Sequence, residues 1–152
     1  MTRVSLDANI LVYALHADDR RHDRAATIVK RAAWNDCVLT VQSMAECFNV
    51  LVKKRGIAPE TARREIATLR EAIPHASQQI VDLDEAMTAV AEHRIAFWDA
   101  MLWATARRAG CEVIVSEDFQ DGRTLGEVRF INPFHVKNDE AIDRLFAEDP
   151  LS

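Results

Sequence analysis

Residues 5–15 read SLDANILVYAL, an apolar run broken near its start by Asp7 and Asn9. A carboxylate beside a core segment is costly unless it is paired, hydrogen-bonded or bound to a cation. The stretch just before it, residues 3–6 (RVSL), reads as a short strand, and residues 8–16 read as a helix. A strand that gives way to a helix this abruptly is the unit of an α/β fold. Asp7 then stands at the carboxyl end of the first strand, where it can also cap the helix beginning at Ala8.

The alternation continues outward. Residues 22–35 (HDRAATIVKRAAWN) bring Ala26, Ile28, Val29, Ala32 and Ala33 near one another on an amphipathic helix, and residues 37–40 (CVLT) make a second strand. Residues 42–55 follow as a helix with Met44, Cys47, Phe48 and Leu51 at helical spacing, stopped by Gly56. Pro59 starts a helix that runs to about Ile73. Residues 79–82 (QIVD) read as a third strand, with helices after it at about 84–94 and 99–109. Residues 112–115 (EVIV) are the cleanest strand, 116–126 (SEDFQDGRTLG) a loop, and 128–131 (VRFI) a fifth strand. A short helix near 139–147 reads as peripheral. Strands alternating with helices imply parallel pairing through right-handed crossovers, and such sheets bind ligands beyond the carboxyl ends of their strands.

Composition sets the frame. The chain has 152 residues, 49% hydrophobic and 28% charged, which suits one soluble domain with a sizeable core. No stretch has the length of a membrane span, and the N-terminal run carries Asp7 and lacks a small-residue cleavage site, against a signal peptide. Cys37, Cys47 and Cys111 are odd in number and lack C-x-x-C spacing, as expected of reduced thiols in a cytoplasmic protein. A net charge of −5 argues against a broad nucleic-acid-binding surface, although short basic runs occur, among them Lys53-Lys54-Arg55 and Arg107-Arg108.

The acids carry the chemistry. Glu46 has a rival reading, because Ser43-x-x-Glu46 matches a capping box and helical spacing turns Glu46 away from the Met44, Phe48 and Leu51 stripe. Asp99 shares a helix face with Leu102, Trp103 and Ala106, so it is either a cap or a functional carboxylate at the head of an apolar stripe. Ser116, Glu117, Asp118 and Asp121 crowd one loop after a buried strand, which a polar turn or a bound cation would explain. Carboxylates from four separated segments are thus expected at one edge of one sheet, and like charges gathered there call for a cation. No lysine or arginine sits inside the acidic motifs, and His16, His22, His75, His93 and His135 show no zinc spacing. All-oxygen donors favour Mg²⁺ or Mn²⁺. Such an ion lowers the pKa of an attacking water and orients a phosphate, which makes a phosphodiester the natural substrate.

Four segments, SLDANILVYA, QSMAECFNVLVKK, FWDAMLWATARRAGC and IVSEDFQDGR, together resemble the PIN-domain family of metal-dependent nucleases, and within it the VapC-type toxins of toxin–antitoxin pairs. The likeness runs from about residue 3 to 132. It implies an α/β fold, a five-stranded parallel sheet of order 3-2-1-4-5 flanked by helices, in a domain over residues 1–135. Residues 136–152 form a tail with a short helix within the same domain. It implies an endoribonuclease that hydrolyses RNA with a Mg²⁺- or Mn²⁺-bound water. The family's four acidic positions fall on Asp7, Glu46, Asp99 and Asp118, with Glu117 or Asp121 able to join or replace the last. Ser116 and Asn9 would position ligands or waters. The resemblance also implies a homodimer and a cognate antitoxin. RNA would dock on local basic patches, with Lys53, Lys54, Arg107 and Arg108 as candidates. The rival expectation is a catalytically inactive PIN-like module that binds protein or RNA.

Overall fold

The computed structural model describes residues 2–16 and 20–149. The last three residues of the expected tail lie outside that range. In chain order the elements are β1 (Val4–Leu6), α1 (Ala8–Leu15), α2 (Arg21–Ala32), β2 (Leu39–Thr40), α3 (Val41–Lys53), α4 (Pro59–Ala72) and β3 (His75–Ala76). They continue with α5 (Ile80–His93), α6 (Phe97–Arg108), β4 (Val113–Val115), β5 (Thr124–Leu125), β6 (Val128–Ile131) and α7 (Asp139–Leu145).

β1, β4 and β6 run parallel and in register, with Leu6, Val115 and Ile131 level at their carboxyl ends. All three residues of β4 are buried and β-branched, as expected of a central strand covered on both faces. β2 and β3 pair parallel as a separate two-stranded piece, which meets the main sheet at the Val4–Cys37 bridge. Across the whole assembly the parallel order is therefore β3-β2-β1-β4-β6, the expected 3-2-1-4-5 arrangement.

Four details differ from the sequence reading. The third strand is His75–Ala76, not 79–82, and Ile80 already begins α5. The Gln79 N–H is taken by the Asp82 carboxylate at 2.9 Å, which starts a helix, while Ile80 and Val81 stay 75% and 48% exposed and so have no sheet to enter. The loop after β4 holds an additional strand, β5, antiparallel to β6. Gly126 and Glu127, at φ 48° and 73°, form the two-residue turn between them, a conformation that suits glycine. The sheet is thus four strands plus two, rather than five all parallel. Finally, α7 is not peripheral. Ile142 and Phe146 are 1% and 2% exposed and belong to the core between the sheet and helices α1 to α4. Arg24 on α2 holds α7 through Asp139 and Asp143, because its guanidinium can serve both carboxylates at once.

A second core lies on the other face of the sheet, where α5 and α6 cover Ile114, Val128 and Phe130. Phe119 stacks on Phe130 with centroids 4.1 Å apart, which anchors the loop that follows β4.

Candidate active site

The level carboxyl ends of β1 and β4 place Asp7 and Ser116 side by side. The Asp7 N–H donates to Val115 O at 3.0 Å, and the Ser116 N–H donates to Ile131 O at 3.0 Å. Asp7 caps α1 and faces the site at once. One carboxylate oxygen accepts the Ala8 N–H at 2.7 Å, and the other accepts the Ser116 hydroxyl at 2.7 Å. A carboxylate has about four lone-pair positions, so both roles leave room for a further partner. Burial pushes the Asp7 carboxyl up to about 6, against the two hydrogen bonds, and the charges of Asp99 and Glu46 push the same way.

Asn9, in the first turn of α1, reaches the opposite loop. Its amide donates to the Asp118 carboxylate at 3.0 Å and more weakly to Ser116 Oγ at 3.4 Å. The Asp118 N–H in turn donates to Ser116 Oγ at 3.1 Å. Glu46 lies in the second turn of α3, past the start of the helix. Thr40 is the cap there, its hydroxyl accepting the Ser43 N–H at 3.0 Å, so the Ser43–Glu46 capping box does not form. Glu46 instead accepts the Gln42 amide at 2.8 Å. Asp99 sits in the first turn of α6 but does not cap it; Ala96 is the cap residue. Half-buried, Asp99 has no hydrogen bond or ion pair among the described residues. Its carboxyl is raised by burial and then by the charges of Asp118 and Glu46.

The structure therefore brings Asp99 within electrostatic reach of Asp7, Glu46 and Asp118, and Asp7 within reach of Glu46, while Ser116 and Asn9 link Asp7 to Asp118. Among the described residues, no three His, Cys, Asp or Glu side chains lie close enough to enclose a metal ion as they stand. The way the four acids are held is distinctive. Ser116, Asn9 and Gln42 are neutral donors, and Asp99 has none. Other acids around the molecule are paired with cations, as in Arg3–Asp36, Arg21–Glu117, Arg108–Asp82 and Lys137–Asp121.

That contrast separates Glu117 and Asp121 from Asp118. Glu117 takes the Tyr13 hydroxyl at 2.6 Å and Arg21 at 2.9 Å, with the guanidinium 4.7 Å from the Tyr13 ring centre. Asp121 accepts the Asn132 N–H, the Asn138 amide, Lys137 and His135. Burial alone would raise the Asp121 carboxyl, but these four partners outweigh it and bring it to about 2. A carboxyl lowered on folding adds stability above its ordinary value and loses it as pH falls toward the folded value. Asp121→Asn is therefore expected to lower stability by about 1–2 kcal/mol at pH 7. The difference from the natural chain should shrink between pH 4 and 2 in urea melts.

The basic candidates divide. Lys53 and Lys54 are exposed and unpaired among the described residues, and Lys53 lies two helical turns beyond Glu46 on the same side of α3. Arg107 and Arg108 are committed elsewhere. Arg107 donates to Gly126 O and pairs with Glu85 at 3.3 Å, and Arg108 grips the buried Asp82 and Ser77 O. They tie α5, α6 and the β5–β6 turn together at the end of α6 opposite Asp99. Sequence reasoning missed Gln42 and Gln78, whose amides are linked at 2.7 Å. The only signal was the spacing of Gln42 four residues before Glu46.

The family model of the PIN domain matches residues 4–121. The chain belongs to the PIN-domain family. The matched span includes all four acids, together with Asn9, Gln42, Gln78 and Ser116. No curated protein sequence matches the chain. Solved structures do resemble this PIN domain. The Mycobacterium tuberculosis toxin VapC20, described as cleaving the sarcin-ricin loop, is 19% identical with a TM-score of 0.63, over 83% of this chain and 98% of that one. A toxin–antitoxin complex from Klebsiella pneumoniae is 17% identical with a TM-score of 0.64, over 88% and 99%. A DNA-bound VapBC from Salmonella typhimurium is 15% identical with a TM-score of 0.62, over 86% and 97%. At these identities the likeness is one of fold. No helix among the described residues is long and apolar enough to cross a membrane.

Proposed function

We propose that this PIN domain is a Mg²⁺- or Mn²⁺-dependent endoribonuclease and the toxin of a toxin–antitoxin pair. One observation carries the reading. Among the described residues, four carboxylates from separate segments gather at one edge of the sheet without a cationic partner, and half-buried Asp99 has no hydrogen bond or ion pair. Such a cluster is unfavourable unless a cation joins it, and its all-oxygen donors suit a hard divalent ion. Asp7, Glu46, Asp99 and Asp118 would hold the ion. When bound, it would activate a water and neutralise charge on a phosphate. Ser116 and Asn9 keep Asp7 and Asp118 facing the same space, and Lys53 would steady the RNA backbone beyond Glu46.

Two surfaces support the proposed partners. An apolar groove of about 630 Å³ between α3 and α4, lined by Val41, Met44, Phe48 and Ile66 with Arg63 and Arg70, suits an amphipathic antitoxin segment. Ile80, Met87 and Val90 leave an exposed apolar stripe on α5, which suits a second copy of the chain. A non-catalytic binding module is the second reading, favoured by the lack of any ready-made three-residue metal cluster among the described residues. Incubating the pure protein with RNA separates the two. Cleavage that EDTA stops and added Mn²⁺ restores is expected. RNA left intact at every metal concentration would leave the binding module standing.

A further inference from the structure

We propose that Gln42 and Gln78 form an amide relay that positions Glu46 without neutralising it. The proposal rests on the ribonuclease reading and adds two positioning residues to it. Gln42 is buried in the first turn of α3. Its amide nitrogen donates to Glu46 at 2.8 Å and to the carbonyl of Trp98 at 2.9 Å. Its amide oxygen accepts the Gln78 amide at 2.7 Å. Every polar atom of the Gln42 side chain is thus used.

This pattern admits one orientation. Turned over, the Gln42 amide would set its oxygen against the Glu46 carboxylate and the Trp98 carbonyl, and its N–H groups against those of Gln78. The Glu46 carboxylate and the Trp98 carbonyl therefore decide which way Gln42 points, and Gln78, which touches none of the acids itself, braces that orientation by filling the amide oxygen. The consequence reaches two of them. Glu46 has one oxygen taken and the other left without a partner among the described residues. Trp98 immediately precedes Asp99, so the same nitrogen also fixes the first turn of α6 relative to α3. A lysine or arginine in place of Gln42 would hold Glu46 as firmly but would compete with a cation for its charge. An amide avoids that competition, and outer partners of this kind typically change metal affinity by 10- to 100-fold when removed.

The test uses the full chain with Mn²⁺ as the probe, measured by titration calorimetry and by the Mn²⁺ dependence of RNA cleavage. Gln78→Leu is expected to weaken Mn²⁺ binding about 5- to 10-fold, with the cleavage rate recovering to within about twofold at saturating Mn²⁺. Gln42→Leu should weaken binding by about 10-fold or more. The double variant should bind no more weakly than Gln42→Leu alone, because Gln78 acts only through Gln42. Wild-type Mn²⁺ affinity in Gln78→Leu, or losses that multiply in the double variant, would overturn the relay while leaving the nuclease intact. A natural chain that folds yet binds no Mn²⁺ and cuts no RNA would remove both the relay and the reading beneath it.

Discussion

Asp7→Asn is expected to cut RNA at least about 100-fold more slowly than the natural chain and, without divalent metal, to be the more stable of the two. Both effects come from one charge. Asp7 is 6% exposed, and burial together with Asp99 and Glu46 holds its carboxyl at about 6. Raising a carboxyl from 3.8 to about 6 penalises the charged form by roughly 3 kcal/mol. The sign follows from linkage. A group raised on folding adds stability below its ordinary value, and that contribution is lost as pH climbs through the folded value. The charged Asp7 therefore weighs most against the fold above pH 6.

Asparagine removes the charge while keeping the cap on Ala8 and a bond to Ser116. Allowing for imperfect replacement bonds, a gain of about 1–2 kcal/mol at pH 7.5 is expected, fading toward pH 4. Urea melts across that range in EDTA would measure it. Added Mn²⁺ should raise the melting temperature of the natural chain more than that of the variant. Full cleavage activity in Asp7→Asn would remove Asp7 from the site.

Phe146→Ala is expected to destabilise the protein by about 3–5 kcal/mol, comparable to emptying a position in the middle of a sheet. Phe146 follows α7 and is 2% exposed, packed in the same core as Leu6, Ile10 and Ile28. In a chain of this size such a loss lowers the melting temperature by about 10 °C or more. Thermal melts followed by circular dichroism would show it. Activity at low temperature should persist, since Phe146 touches none of the acids. A shift below about 2 °C would mean that the C-terminal segment is dispensable.

That segment also shows where sequence reading stops. DEAIDRLFA looks peripheral because it is short, charged and outside every motif. Only the structure reveals that Ile142 and Phe146 join the buried core to which α1 and α2 contribute, and that Arg24 pins the helix down. Similarly, QIVD has the composition of a strand, yet the local bond from Gln79 N–H to Asp82 turns it into a helix start. The central strands were readable because Val4–Leu6, Val113–Val115 and Val128–Ile131 are short, mainly apolar runs bounded by polar residues, and in Val113–Val115 three β-branched residues in a row signal burial on both faces.

The site was legible in part for a related reason. Asp7 and Ser116 directly follow strands, so topology alone brings them together. Asp99 stood out as a charge at the head of an apolar stripe. Glu46 did not, since its helix face is polar and its Gln42 partner lies on the same face. The commitments of Arg107 and Arg108 were equally invisible, because their partners Glu85 and Asp82 are more than 20 residues away in sequence.

Because Ser116, Asn9 and Gln42 do not titrate, the donors that hold the acids cannot soften their negative field. A polyanion approaching the bare carboxylate cluster meets repulsion. Assembly should then be ordered, with the divalent ion entering first and the nucleic acid second. A steady-state rate law for the proposed nuclease would show the signature of compulsory sequence, in which abundant RNA cannot compensate for scarce metal.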